Sequence, residues 1–78
     1  MRQRKSLMTP KQCRAARALL DLSQATLAKV AAVGLSTVAD FELERREVSL
    51  EAVSKMQSAL EAAGIQFTNG KRPGVRLG

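Results

Sequence analysis

Cations carry most of the chemistry available to this chain. Arg2, Arg4, Lys5, Lys11, Arg14 and Arg17 crowd its start and Lys71, Arg72 and Arg76 its end, while residues 18–64 hold more acids than bases. Basic ends around an acidic middle, with a formal net charge of +6, point to a polyanionic partner, most simply a nucleic acid. The other reactive residue types exclude more than they suggest. With no histidine and a single cysteine, Cys13, neither an intramolecular disulfide nor a zinc site is expected. Cys13 lies in an alanine-rich run with no base to activate it, and reads as a structural thiol. There is no metal-ligand cluster and no glycine-rich phosphate loop, so an enzyme is not expected and no cofactor is implied.

A chain of 78 residues makes one small domain with a modest core. No apolar run approaches the ~18 residues of a membrane span. Lys11 and Arg14 interrupt any signal-type apolar segment near the start. The expected compartment is the cytoplasm, and no membrane partner is implied.

The elements that must position these residues follow from caps and periodicity. Residues 1–8 read as a flexible basic arm. Thr9-Pro10-Lys11-Gln12 opens a first helix, with a threonine cap, proline at the first helical position and Gln12 closing a capping box. Cys13, Ala16 and Leu20 fall on one face of that helix. Ser23 caps a second helix with Leu27, Ala28 and Ala31 inward, and a turn runs through Ala32, Val33 and Gly34. A third helix extends to about Leu43 with Val38 and Phe41 inward. Ser49 caps a fourth, whose inward face is expected to be Leu50, Val53, Met56, Leu60 and Ala63, with Gly64 as its left-handed terminator. The period then changes. Ile65 and Phe67 alternate with polar residues, as do Val75 and Leu77, which predicts a short hairpin of residues 65–68 and 74–77.

Ser23 to Glu42 is the organising stretch. A small residue, Ala28, stands where two helices would approach most closely, and Val33 and Val38 flank the turn that sets their angle. With that angle set, the second helix of the pair projects outward and fits a major groove about 12 Å wide.

The ordered set Cys-Arg-Ala-Ala-Arg-Ala-Leu-Leu, Leu-Ser-Gln-x-x-Leu-Ala-Lys, Ser-Thr-Val-x-x-Phe-Glu and Ser-Leu-x-x-Val resembles the XRE/Cro-like helix-turn-helix family of bacterial and phage transcriptional regulators. The resemblance covers roughly residues 9–63. It implies an all-α fold with a small C-terminal β-hairpin, a four-helix lambda-repressor-like DNA-binding domain. The expected organisation is an arm at 1–8, the helix-turn-helix domain at 9–63 and a hairpin at 64–78.

The family pattern also implies roles for particular residues. Leu35, Ser36, Ala39 and Asp40 match the outward positions that meet base edges. Ser23, Gln24, Thr37, Arg14, Arg45 and Arg46 are assigned to DNA phosphates, with Lys11 and the arm beside them. Arg17 and Glu42 match a structural arginine–glutamate pair. The pattern also has departures. Ala32 and Glu44 stand where the family commonly has glycine, and a positive φ at Ala32 is expected to cost on the order of 1 kcal/mol relative to glycine. Gly34 replaces the usual serine or threonine cap of the third helix.

The resemblance implies a repressor that binds a palindromic operator in double-stranded DNA as a homodimer, because one such domain reads only a few base pairs. Ile65, Phe67, Val75 and Leu77 are assigned to the dimer interface, buried across a two-fold axis. The third helix carries no cation of its own, whereas base readout usually relies on Arg, Lys, Asn and Gln. Phosphate contacts are therefore expected to supply most of the affinity. The same acidic, cation-free helix, with Leu35 expected to be exposed, supports a second reading, a protein-interaction module on this scaffold, an antitoxin or antiactivator with a toxin or activator as partner.

Overall fold

The computed structural model describes residues 7–68 and 72–78. Its elements are α1 (Pro10–Leu20), α2 (Gln24–Ala31), α3 (Leu35–Glu42), α4 (Leu50–Ala62), β1 (Ile65–Thr68) and β2 (Gly74–Leu77). Three of the helices, α1, α2 and α4, start where a hydroxyl can satisfy a free backbone N–H. The Thr9, Ser23 and Ser49 side chains accept from the amides of Gln12, Thr26 and Ala52, and Gln12 completes the capping box. At α3 the cap is Gly34, which provides no side-chain bond. Left-handed residues follow three of the helices: Asp21 after α1, Ala32 after α2 with φ 61°, and Glu44 after α3 with φ 56°. Gly64, at φ 107°, turns the chain from α4 into β1.

The core is small and apolar. Cys13, Ala16, Leu27, Ala28, Ala31, Val38, Val53, Met56, Leu60 and Ile65 are buried together, with Phe41 and Val33 packed at its edge. Two inward assignments on α4 are corrected. Leu50 is 73% exposed, at the first helical position. Ala63 is also exposed, at the C-cap just past the end of the helix. Gln57 takes up inward space instead, and its Oε1 accepts from the Met8 amide at 2.8 Å.

That bond corrects the arm as well. Met8 is buried in the core and Leu7 packs against it, so the chain is anchored two residues before α1 begins its cap. Residues 1–6 of the predicted arm lie outside the described residues.

β1 and β2 pair antiparallel, Ile65 with Leu77 and Phe67 with Val75. Directly paired residues share one face of a hairpin, so these four apolar side chains point the same way. That face covers the domain's own helices, with β2 along α1 and β1 against α4. Ile65 is only 3% exposed, and Phe67 and Val75 pack on the core. Ile65, Phe67 and Val75, assigned to a dimer interface, are thus packed on the domain's own helices, as expected of a two-stranded hairpin that is marginal alone. Leu77 remains half exposed.

Gln12 locks this arrangement. Its Oε1 accepts from the Thr9 amide, while its Nε2 donates to the Thr68 carbonyl at 3.0 Å and the Gly74 carbonyl at 2.9 Å. One buried side chain thus caps α1 and ties down both strands. No helix among the described residues is long and apolar enough to cross a membrane.

Candidate nucleic-acid interface

α2 and α3 meet across the turn at Ala32, whose left-handed conformation lets the Val33 amide reach back to the Ala28 carbonyl at 3.0 Å. The buried side of α3 is Val38 and Glu42. Its solvent side is therefore Leu35, Ser36, Ala39 and Asp40, contiguous positions on a helix. Leu35 is 52% exposed. Ser36 is exposed, and Ala39 and Asp40 are half-buried.

Glu42 fastens the inner side of α3. Its carboxylate is inaccessible to solvent and accepts from Arg17 Nε and Nη2 at 2.7 Å each, Gln24 Nε2 at 3.0 Å and Cys13 Sγ at 3.2 Å. The third Arg17 nitrogen, Nη1, donates to the Leu22 carbonyl at 2.9 Å. Burial opposes the charge on Glu42 more than any single partner favours it. Together the Arg17, Gln24 and Cys13 donors prevail and hold the carboxyl below the usual glutamate range. Burial foremost, and then the bond to Glu42, push the Cys13 thiol far up. Cys13 is thus a hydrogen-bond donor, not a nucleophile. This one carboxylate joins α1, α2 and α3.

Several residues assigned to phosphates are engaged within the domain. Gln24 supplies one amide hydrogen to Glu42, which holds its side chain at the N-terminus of α2. The Ser23 hydroxyl accepts from the Thr26 amide and donates to Thr26 Oγ1, both at 3.0 Å. Arg14 donates from Nη1 to the Glu42 carbonyl at the C-terminal end of α3, where free carbonyls and the helix dipole favour a cation.

On the outer side the structure changes the expected chemistry of Asp40. Its Oδ1 accepts from Arg45 Nε at 3.0 Å and pairs with Arg45 Nη2 at 2.9 Å, while Oδ2 pairs with Arg46 Nε at 2.7 Å. Arg46 Nη2 also reaches Thr37 Oγ1 at 3.5 Å. Thr37, Asp40, Arg45 and Arg46 therefore form one cluster. The helix that has no cation in its own sequence receives two guanidinium groups from the loop that follows it. Arg46 foremost, with Arg45, holds the Asp40 carboxyl below its usual range. Among the described residues, no group of three or more His, Cys, Asp or Glu is placed to hold a metal ion.

Two short helices held at a fixed angle, the second with a free outer face edged by arginines, are the parts of a DNA-reading unit. Residues 14–63 match the helix-turn-helix family model. The chain belongs to the XRE/Cro-like helix-turn-helix family. As a member it is a DNA-binding helix-turn-helix regulator, with DNA as its partner. No curated protein matches the chain. The left-handed residues Ala32 and Glu44 occupy two positions where the family commonly has glycine, so the family's backbone is kept here at some conformational cost.

Sequence reasoning missed the second bonds of Gln12, the Gln57 anchor and the Asp40 cluster. The capping box gave a local reason for Gln12, which hid its longer reach to residues 56 and 62 positions away. The run Asp40 to Arg46 did contain a signal: a carboxylate two residues before the end of α3 and two arginines just beyond a left-handed residue.

Proposed function

We propose that this domain is a transcriptional repressor that binds a palindromic operator as a homodimer, with α3 in the major groove. The observation that carries this reading is the return of Arg45 and Arg46 over the outer face of α3. It puts phosphate-binding groups beside the side chains that would meet base edges. Leu35 suits a thymine methyl, and Ser36 can donate to or accept from several base edges. Gln24 at the α2 N-terminus and Thr37 complete the backbone contacts. The protein-interaction reading draws on an acidic, cation-free third helix and an exposed Leu35; the arginine cluster offsets the first of these, and Leu35 is 52% exposed.

Selection of bound duplexes from a random pool tests the reading. The expected outcome is an inverted repeat with half-sites about one helical turn apart. Failure to enrich any sequence would overturn operator reading, and an enriched single half-site would overturn the dimer. Arg46→Ala should weaken binding to all duplexes alike, whereas Leu35→Ala and Ser36→Ala should change which duplexes are preferred. Placed across a reporter promoter, the selected site should lower expression; raised expression would make the protein an activator.

A further inference from the structure

The Asp40 cluster has the form of an ion pair that DNA must undo. A carboxylate and a phosphate present oxygens to guanidinium in similar geometry. Here one carboxylate takes up two guanidinium groups, each half exposed, on the face that would approach DNA. Arg46 is further held by Thr37 Oγ1 and by the Glu47 carbonyl at 3.3 Å. Arg45 has Nη1 left over among the described bonds.

We infer that Asp40 is a selectivity-determining residue: it stands in for a backbone phosphate, so Arg45 and Arg46 reach DNA only by exchanging Asp40 for phosphate. The inference rests on the DNA-binding reading above and deepens it. A duplex that offers only phosphates must break the pairs and leave the Asp40 charge facing DNA without a donor. A site that seats α3 offers a major-groove donor, such as a cytosine amino group, to the carboxylate that the arginines vacate. Asp40 thereby opposes binding through phosphates alone more than it opposes seated binding. The exchange is easy because exposed ion pairs are weak in water. It is selective because the replacement donor lies only in particular sequences.

The test measures fluorescence anisotropy with the whole chain, a short mixed-sequence duplex and the duplex selected from the random pool, over a range of salt. Asp40→Asn should bind the mixed duplex about fivefold more tightly. Its plot of log affinity against log salt should be steeper by about one. The gain on the selected duplex should be smaller. In an Arg45→Ala/Arg46→Ala background the same substitution should have little effect, which separates release of the arginines from simple loss of a negative charge. An equal gain on both duplexes, an equal gain in both backgrounds, or no gain overturns the inference and leaves DNA binding standing. Failure of the unmodified protein to bind either duplex at low salt overturns the DNA-binding reading and the inference with it.

Discussion

Asp40 and Glu42 are two residues apart on α3, and both are carboxylates paired with arginine, yet they do opposite work. Two residues along a helix is more than half a turn, so one side chain faces solvent and the other the core. Glu42 is inaccessible and saturated, with four donors on its two oxygens. Asp40 is shared between two arginines that each remain half exposed. A buried pair is costly to break because the remaining charge cannot rehydrate. An exposed pair is readily exchanged, since water and salt compete for both partners. The same chemistry is therefore architecture on one side of α3 and a releasable contact on the other.

The largest effect expected on this contrast is at Glu42. Glu42→Ala leaves Arg17 partly buried without its partner and should lower unfolding free energy by about 3–5 kcal/mol, measured by urea denaturation. Asp40→Asn should leave the urea midpoint nearly unchanged. Equal losses at the two positions would break the comparison. The pH dependence has the same origin. The folded-state pKa of Glu42 is depressed, so its contribution is complete above the unfolded glutamate value of about 4.3. It is lost as pH falls through the lower folded value. Glu42→Gln should flatten that acid limb of the stability curve.

A second test asks whether the buried amide of Gln12 belongs with Glu42 rather than Asp40. Gln12→Ala removes a cap and leaves the Thr68 and Gly74 carbonyls without their donor. A loss of about 2 kcal/mol is expected in the same denaturation experiment. Removal of residues 64–78 takes away Ile65 and the partners of Gln12 together, and should unfold the domain rather than merely separate a dimer. A folded truncated chain by circular dichroism would show that the helices hold without the hairpin, and the Gln12 bonds would then be dispensable.

The smallest effect expected is at the turn. Ala32→Gly touches neither carboxylate and relieves a left-handed alanine, so it should raise stability by about 0.5–1 kcal/mol, measured as a higher melting temperature. An unchanged midpoint would mean that the α2–α3 angle is held by the core and Glu42 alone.

The sequence by itself determined what depends on neighbours along the chain. Hydroxyl caps at Thr9, Ser23 and Ser49, the spacing of Ala28 and Val38, the terminator Gly64 and the strands 65–68 and 74–77 all follow from local bonding and periodicity, and the structure has them. The family's ordered motifs add the pairing of Arg17 with Glu42, which composition alone does not contain. Tertiary structure decided the rest, because a polar side chain's partner depends on what folding brings near it. Gln57 found the Met8 amide 49 residues away, Gln12 found the hairpin, and the apolar hairpin face found the helices. Asp40, assigned to a base edge by the family's pattern, met two arginines because the left-handed Glu44 turns the loop back over the helix. Periodicity shows which way a side chain points, but only the fold shows what it meets there.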